Sequence, residues 1–412
     1  MSRPRITPGS LAQVDAVRGR TEPGPAAASR RHLTSGETRR GVALLGSTGS
    51  IGRSTLDVLR RHQDQFRVVA LTAGRNADEL AAQVAEWRPT YAGLVAGNND
   101  GRWPAGANVL VDAATHPDAD IVVNAVVGAA GLAATLAALR SGKRVALANK
   151  ETLVMAGDLV AQAACSGGGE IVPIDSEHSA VLQCVTGRDD GLARLILTAS
   201  GGPFREWEMD RVWHATIEEA LQHPTWRMGH KITVDCATLA NKALELIEAH
   251  HLFGLPYEAL EVVVHPQSIV HAFVEFRDGS VLAQLGFPSM ELPILYALTY
   301  PERLADTGVR RFDPVAAGPL TFEPVRSDVF RALGAGMAAG RAGGTAPAVF
   351  NAANEVAVAA FLEGAIAFGQ ISETIERTLD AHTPTAATSV EAVESADQWA
   401  RERARQSVRT SC

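Results

Sequence analysis

The chain has 412 residues, of which 46% are hydrophobic and 20% charged, and its formal net charge is −8. This length predicts two or three domains, and a negative charge without a basic stripe argues against a nucleic-acid partner. The sequence contains no run of 18 consecutive apolar residues, so we expect no membrane-spanning helix and no membrane partner. Its four cysteines lack C-x-x-C spacing, which is typical of reduced thiols in a cytoplasmic protein.

Residues 1–40 differ from the rest of the chain in composition. They are rich in arginine, proline and serine, poor in acidic residues and without hydrophobic periodicity. We predict a disordered N-terminal extension; a transit peptide and a start codon assigned too far upstream are the alternatives.

From residue 41 the sequence alternates short apolar runs with helical stretches. The predicted strands are residues 41–45, 66–72, 91–95, 119–125 and 143–148, and the predicted helices are residues 54–61, 77–86 and 131–140. Strands and helices that alternate at this spacing form parallel βαβ units. Residues 41–174 are therefore predicted to form a doubly wound, Rossmann-like nucleotide-binding domain of the α/β class.

The middle and the end of the chain have other patterns. Residues 192–198, 262–264, 269–276 and 280–285 are β-like, and Asp278-Gly279 suits a hairpin turn between the last two. Residues 175–299 are accordingly predicted to be an α+β catalytic domain with an antiparallel sheet. A linker rich in proline, glycine and arginine is predicted at residues 300–325, followed by an α-helical domain at residues 326–412, with polar residues near Asn351.

A glycine-rich turn follows the first predicted strand. Gly46, Gly49 and Gly52 form a G-x-x-G-x-x-G sequence before a helix, which lets the backbone approach a pyrophosphate at the helix N-terminus. The second strand ends in residues 73–76 without an acidic side chain, and the guanidinium of Arg75 suits the 2′-phosphate of NADPH. Glycines that serve packing alone, and a solvated Arg75, are the alternatives.

Three carboxylates are candidates for a metal site. Asp175 and Glu177 follow an apolar strand, and continued extended geometry would project both side chains to one side. Glu245 lies on a helical stretch and shares a face with Asn241. Carboxylates without His or Cys favour Mg²⁺ or Mn²⁺ over zinc. The alternative is that Asp175 caps a helix beginning at Ser176 while both glutamates are surface charges.

Lysine is rare in this chain. Of the 38 Lys and Arg residues only four are lysines, at positions 143, 150, 231 and 242, so each is a candidate for a role that a guanidinium does not serve. Lys150 follows a strand, where ligands of parallel sheets bind. Lys242, with Asn241 and with Ser200 in a Ser-Gly-Gly-Pro turn, is a candidate for holding a terminal phosphate. A plain turn and a solvated lysine are the alternatives.

Residues 223–229 are unusually aromatic for a loop. Trp226 and Met228 are candidates for a lid that closes over a substrate and excludes water, with His223 donating a hydrogen bond inside it. Packing of Trp226 and Met228 in a core is the alternative.

The motifs described above, taken in chain order, resemble the 1-deoxy-D-xylulose 5-phosphate reductoisomerase family of the non-mevalonate isoprenoid pathway. The resemblance extends from residue 41 to the C-terminus, and the segments that carry it are residues 46–52, 124–131, 148–151, 174–178, 200–204, 223–229, 235–245 and 265–271. It implies NADPH- and metal-dependent rearrangement and reduction of a small phosphorylated sugar, 1-deoxy-D-xylulose 5-phosphate, to 2-C-methyl-D-erythritol 4-phosphate. It also implies Mg²⁺, Mn²⁺ or Co²⁺ as the metal, and a cytoplasmic homodimer with three regions per chain.

The resemblance further implies roles for individual residues. The family's metal ligands match Asp175, Glu177 and Glu245. Its substrate contacts match Lys150, Ser176, Glu177, Ser200, His223, Trp226, Met228, Cys236, Asn241, Lys242 and Glu245. Its nucleotide contacts match Gly46, Ser47, Thr48, Gly49, Ser50, Ile51, Gly52, Ala73, Gly74, Arg75, Asn76, Asn149, Glu151 and Gly229. The catalytic set is Lys150, Glu151, Asp175, Glu177, His223 and Glu245, in which Lys150 and Glu151 are the candidates for proton handling.

Two positions depart from the family pattern. Cys236 stands where the family usually has a serine that helps to hold the phosphate, and a thiol is a weaker donor. Ala243 stands where glycine is usual, which a helix tolerates. A non-catalytic NADPH-binding protein and a sugar-phosphate dehydrogenase with another substrate are rival interpretations, against which the intact residues 175–177 and 241–245 argue.

Overall fold

The computed structural model describes residues 39–97, 101–188, 191–226 and 228–411. Apart from its last two residues, the extension predicted at residues 1–40 lies outside this part of the chain. Among the described residues, no helix is both long and apolar enough to cross a membrane.

The first half of the chain is built on a six-stranded parallel sheet with the order β3-β2-β1-β4-β5-β6. Its strands are β1 (Arg40–Leu45), β2 (Phe66–Ala73), β3 (Tyr91–Leu94), β4 (Ile121–Asn124), β5 (Arg144–Leu147) and β6 (Glu170–Pro173). The connecting helices are α1 (Ser50–Arg61), α2 (Ala77–Trp87), α3 (Asn108–Ala114), α4 (Leu132–Arg140) and α5 (Lys150–Gly167). This order has its switch point between β1 and β4, so the predicted doubly wound sheet is confirmed.

The apolar strand sequences follow from burial on both faces of this sheet. Residues 42–45 of β1 are all completely buried, which explains why β1 is a continuous apolar run rather than an alternating one. The predicted strands agree with the structure to within two residues at each end. Helix α1 begins four residues earlier than predicted, at Ser50, because the glycine turn leads directly into it.

A second, four-stranded sheet has the order β10-β9-β7-β8, and its strands are β7 (Leu192–Ala199), β8 (Leu260–Val264), β9 (Val270–Phe276) and β10 (Val281–Leu285). β9 pairs antiparallel with both β7 and β10, and the predicted hairpin turn is present, with Gly279 at φ +86°. The predicted antiparallel sheet is confirmed for β7, β9 and β10, but not for β8, which pairs parallel with β7. The chain between these two strands is long and helical, which is the kind of connection that parallel strands require.

The remaining helices surround the second sheet and form the C-terminal region. They are α6 (Ser176–Val185), α7 (Met209–Trp213), α8 (Ile217–Ala220), α9 (His230–Thr238), α10 (Ala240–Phe253), α11 (Glu291–Thr299), α12 (Pro314–Ala317), α13 (Arg331–Ala342), α14 (Ala346–Leu362), α15 (Gly369–Asp380) and α16 (Val390–Ser411). Helix α14 packs against α13, α15 and α16, and it also contacts α5 and α9. The predicted helical C-terminal region is thus present, and it lies against both other regions.

The segment predicted as a linker, residues 300–325, is tied to the body of the protein at two points. Glu323 forms a two-way backbone bridge with Val264 of β8, at 2.9 Å in each direction. The nearly buried carboxylate of Asp306 bonds Arg61 at 2.9 Å and His62 at 3.0 Å, both at the end of α1. The segment is therefore bonded to α1 at one point and to β8 at the other rather than joining two regions freely.

Candidate active site

A cavity of about 470 Å³ lies at the carboxyl ends of the parallel strands. Its walls come from the segments after β1, β4, β5 and β6, from the end of β7, and from α9 and α10. Ligands of doubly wound sheets bind at this edge. Of the predicted site residues, those that line the cavity are Gly49, Ser50, Ile51, Lys150, Glu151, Asp175, Ser176, Glu177, Ser200, His223, Trp226, Met228, Gly229, Cys236, Asn241, Lys242 and Glu245.

The turn between β1 and α1 needs glycine at two of its positions. Gly46 has φ +82°, and a Cβ there would lie 2.7 Å from the carbonyl oxygen of Ala125. A Cβ on Gly52 would lie 2.3 Å from the carbonyl oxygen of Gly46, so the helix packs directly on the turn. Gly49 precedes α1 and provides no side-chain cap, so the first amides of the helix remain available to an anion.

The other predicted nucleotide contacts lie beside or beneath this turn rather than on the cavity wall. Ser47 is buried and Thr48 half-buried, while residues 74–76, which follow β2, are exposed. The side chain of Arg75, just after β2, is thus exposed rather than packed in the core. Asn76 caps α2, where its Oδ1 accepts from the amide of Glu79 at 3.2 Å.

Asn149 connects two segments at the edge of the sheet. Its Nδ2 lies 2.9 Å from each of three acceptors: the carbonyl oxygens of Val126 and Gly128 after β4, and Oε2 of Glu151 at the start of α5. Asn149 itself is almost fully buried. It therefore ties the loop after β4 to the first turn of α5.

The three predicted metal ligands come together. Oxygen atoms of Asp175, Glu177 and Glu245 all lie within 4.8 Å of one another. The predicted extended geometry was wrong, because β6 ends at Pro173 and Asp175 is the N-cap of α6, accepting from the amide of Glu177 at 3.3 Å. The helix cap and the carboxylate cluster are thus compatible. Carboxylate oxygens in this arrangement fit a hard divalent cation.

Two lysine ammonium groups stabilise the clustered charges. Lys150 bonds Asp175 and lies 3.2 Å from Oε1 of Glu245. Lys242 lies 2.6 Å from Oε1 of Glu177 and also bonds Glu245. Burial alone would raise the pKa of Glu177, but the charge and hydrogen bond of Lys242 outweigh it and lower that pKa to about 2. The Glu177 carboxylate is therefore ionised and able to act as a ligand near neutral pH.

Beneath the cluster lies a buried pair that the sequence patterns did not reveal. Nε2 of His178 donates to the carbonyl oxygen of Glu245 at 2.8 Å, and its Nδ1 lies 3.7 Å from Oε2 of Glu248. Burial, with the nearby charge of Lys150, lowers the pKa of His178 to about 3, whereas burial raises the pKa of Glu248 to about 8. The neutral imidazole thus holds the α10 backbone at Glu245.

At the opposite end of the cluster, His223 and Ser200 form a hydrogen-bonded pair. Nδ1 of His223 accepts from the amides of Thr225 and Trp226, at 3.1 and 2.9 Å, so Nε2 carries the proton that is donated to Oγ of Ser200 at 3.0 Å. Burial lowers the pKa of His223 to about 4, which keeps the ring neutral near neutral pH. Asn241 is turned towards Glu245, to which its Nδ2 donates.

Cys236 lies on α9 in the wall of the cavity and carries a free thiol. Burial raises its pKa, so the group is a protonated thiol rather than a thiolate. Its carbonyl oxygen is 2.9 Å from the place where a Cβ of Gly202 would stand, and Gly202 has φ +67°. The turn at Ser200 therefore packs tightly against the backbone of α9 at Cys236.

Trp226 and Met228 are half-buried in the cavity wall and lie outside the hydrophobic core formed by the described residues. The alternative interpretation, that both side chains pack in a core, therefore does not agree with the structure. Residue 227 lies outside the described part of the chain. Gly229 is exposed and begins α9.

Further residues in the wall were not predicted as site residues. Lys231 lies 3.0 Å from Oδ2 of Asp235 and 3.4 Å from Oε1 of Glu151. The rarity of lysine had singled this residue out, but no pattern in the sequence placed it in the site. Ser268 and His271 also line the cavity, from the segment around β9.

Three family models match successive parts of the chain. Family models described as 1-deoxy-D-xylulose 5-phosphate reductoisomerase match residues 42–157 and, for a C-terminal domain, residues 171–253; a model described as DXP reductoisomerase C-terminal domain matches residues 285–403. The 1-deoxy-D-xylulose 5-phosphate reductoisomerase of Symbiobacterium thermophilum is 50% identical over 386 residues, covering 89% of this chain and 98% of the relative. That of Bacillus cereus (strain Q1) is 48% identical over 364 residues, covering 85% and 95%.

Solved structures are similar over most of the chain. A DOX-P reductoisomerase in complex with NADPH, fosmidomycin and magnesium has a TM-score of 0.86 and 40% identity, covering 90% of this chain and 98% of the other. A 1-deoxy-D-xylulose 5-phosphate reductoisomerase from Zymomonas mobilis in complex with NADPH has a TM-score of 0.84 and 44% identity, covering 90% and 99%.

Proposed function

The chain belongs to the 1-deoxy-D-xylulose 5-phosphate reductoisomerase family, and we propose that it converts 1-deoxy-D-xylulose 5-phosphate to 2-C-methyl-D-erythritol 4-phosphate with NADPH and a divalent metal. One observation carries the proposal: the glycine turn at α1 and the cluster of Asp175, Glu177 and Glu245 line the same cavity. A rearrangement followed by a reduction needs both sites to reach one substrate.

Asp175, Glu177 and Glu245 would hold the metal ion, and their three carboxylates fit Mg²⁺ or Mn²⁺. When bound, the metal supplies Lewis-acid polarisation of the carbonyl and hydroxyl oxygens of the sugar. Lys150 and Lys242 bond the three carboxylates and offset the repulsion between them. Lys150 also reaches the cavity, which supports a role in proton handling near the reacting oxygens.

The phosphate of the sugar would lie at Ser200, against Cys236 and the ammonium of Lys242. Ser200 accepts its hydrogen bond from His223, so its own hydroxyl proton is available to an anion. The two glycines that follow Ser200 have positive φ, a backbone conformation that glycine adopts without strain. Binding energy at this end would orient the reacting end of the sugar at the carboxylates.

Trp226 and Met228 would cover the bound sugar. The backbone amide of Trp226 donates to His223, and Met228 lies just before α9. Phosphate binding would therefore be coupled to the lid through the backbone. Covering the substrate would exclude water from the carboxylate cluster and strengthen its electrostatic interactions.

The NADPH end would consist of the β1–α1 turn, residues 73–76 and Asn149. The pyrophosphate would meet the open amides of α1, and Arg75 would meet the 2′-phosphate. The exposed position of Arg75 supports this, since its side chain is accessible to a ligand. We also propose that the enzyme is a cytoplasmic homodimer, which would match the family. Light scattering at several protein concentrations tests whether it is a dimer.

The proposed function is tested by following NADPH oxidation with 1-deoxy-D-xylulose 5-phosphate, in the presence of Mg²⁺, of Mn²⁺ or of a chelator. We expect oxidation that requires both the sugar phosphate and the metal, with 2-C-methyl-D-erythritol 4-phosphate as the product. NADPH binding without oxidation under every metal condition would reject the proposal and favour a non-catalytic protein or another substrate.

A further inference from the structure

A chain of buried polar contacts joins the C-terminal helices to the cavity, and the functions proposed above do not use it. At its centre is Lys231, on the first turn of α9. Its ammonium lies between two carboxylates, 3.0 Å from Oδ2 of Asp235 and 3.4 Å from Oε1 of Glu151. The side chains of Asp235 and Glu151 are 2% and 8% exposed, that of Lys231 24%. Both carboxylates thus depend on this lysine for charge compensation.

On one side the contacts reach the nucleotide-binding edge. Oε2 of Glu151 accepts from Nδ2 of Asn149, and the same amide contacts the carbonyl oxygens of Val126 and Gly128. Val126 lines the cavity together with the turn that precedes α1. The orientation of Glu151 therefore affects the loop after β4 through one buried amide.

On the other side the contacts reach α14. Oδ1 of Asp235 accepts from Nδ2 of Asn354 at 2.8 Å. Asn354 is completely buried, and it lies among the polar residues near Asn351 that the sequence of the helical region singled out. With one oxygen bonded to Asn354 and the other to Lys231, the carboxylate of Asp235 cannot rotate without losing a contact.

We propose that Lys231 is a positioning residue that orients Glu151 and the loop after β4 for NADPH binding, and that Asn354 extends this control to the C-terminal helices. A compact ammonium can fit between two carboxylates at these distances, whereas a planar guanidinium requires more space. This explains why a chain that otherwise uses arginine has a lysine here. The proposal rests on the proposed function for its kinetic readout, while NADPH affinity tests it without substrate.

The first experiment compares Asn354→Ala with Asn351→Ala. The two asparagines make a matched pair: both are completely buried on α14, and Nδ2 of each donates to a carboxylate, in the case of Asn351 to Glu355 at 3.1 Å. We expect both variants to lose Tm to a similar extent. Only Asn354→Ala should weaken NADPH affinity, by about fivefold, and lower kcat by about tenfold, with KM for the sugar phosphate unchanged within about twofold.

The second experiment uses Lys231, which lies at the cavity surface and carries the test if Asn354→Ala does not fold. Lys231→Met keeps the length of the side chain but removes its charge, and it should weaken NADPH affinity by about tenfold. Lys231→Arg restores the charge and should recover at least half of this loss on a logarithmic scale. The double variant with Asn354→Ala should be no weaker than Lys231→Met, whereas the effect of Asn351→Ala should be additive.

Equal NADPH affinities for Asn351→Ala and Asn354→Ala would overturn the proposal, and so would additive losses in the double variant of Lys231 and Asn354. Either result would mean that the contacts of Lys231 form a structural ion pair without a role in NADPH binding. Failure of the proposed function is a separate outcome: it would appear as a wild-type protein that binds NADPH but does not oxidise it, and the affinity comparison would still decide the role of Lys231.

Discussion

The glycine turn at the nucleotide end of the cavity is one continuous stretch of the sequence, residues 46–52, whereas the carboxylates of the metal end come from the start of α6 and from α10, which are separate in the chain. The glycine turn depends on backbone conformation, through Gly46 and Gly52, and offers backbone amides rather than charged side chains. The metal end depends on buried side-chain charges that are compensated by Lys150 and Lys242. A substitution should therefore damage one end through steric overlap and the other through lost charge, and the two effects should be separable.

The largest effect is expected for Glu245→Gln, which removes one charge from the metal end. Metal-dependent turnover should fall roughly a thousandfold, because the Lewis acid is lost or misplaced. NADPH affinity should stay within about twofold of wild type, since α10 does not contribute to the glycine turn. Steady-state kinetics with increasing Mg²⁺ and NADPH fluorescence titration measure the two quantities. Glu258→Gln, at an exposed glutamate, is the control; near-normal turnover of Glu245→Gln would reject this residue as a ligand.

Gly52→Ala should damage the nucleotide end in a complementary way. The new Cβ would stand 2.3 Å from the carbonyl oxygen of Gly46, so the turn must move. We expect NADPH affinity to fall by about ten- to hundredfold, with a loss of Tm. Gly334→Ala, in an exposed turn of α13 with nothing near its Cβ, is the matched control and should retain affinity. An unchanged affinity in Gly52→Ala would contradict the proposed position of the pyrophosphate.

Arg75→Ala tests a charged side chain at the nucleotide end. If the guanidinium meets the 2′-phosphate, the preference for NADPH over NADH should fall by about tenfold, while kcat with saturating NADPH is retained. The measurement is kcat/KM with each cofactor, and Arg140→Ala, at another exposed arginine, is the control. A loss that is equal for both cofactors would mean that Arg75 does not read the 2′-phosphate.

The smallest effect is expected for Cys236→Ser. The thiol is protonated, and replacing it with a hydroxyl provides a stronger donor next to the proposed phosphate site. KM for the sugar phosphate should fall by about threefold at constant kcat and constant NADPH affinity. Cys165→Ser, at an exposed cysteine, should change none of these values. A higher KM in Cys236→Ser would show that the site has adapted to the thiol.

Sequence patterns predicted the parallel sheet well and the second sheet less well. Alternating apolar strands and helices indicate a parallel sheet, because parallel strands need crossovers of that length. The direction of β8 was not predictable, since a strand sequence carries no information about its neighbour. In the structure β8 is parallel to β7, after a connection that contains α9 and α10.

The residues of the candidate site also differ in how well the sequence predicted them. Gly46 and Gly52 could be identified from spacing, because a local turn imposes their conformation. The carboxylates of Asp175, Glu177 and Glu245 could be named, but the spacing argument for the first pair used the wrong backbone geometry, since α6 begins directly after Asp175. No sequence pattern pointed to His178 and Glu248. Their importance comes from burial beneath the carboxylate cluster, which depends on the fold.

What the sequence determined by itself is therefore what depends on near neighbours in the chain: the period of strands and helices, the glycine turn, and the residue types suited to phosphate, metal and nucleotide. The tertiary structure alone decided which charges share one cavity. It placed Lys231 between Glu151 and Asp235, and Asn354 of α14 against the same aspartate. The physical reason is that a buried charge is stabilised by whatever partner the fold brings within hydrogen-bonding distance, however far away that partner lies in the sequence.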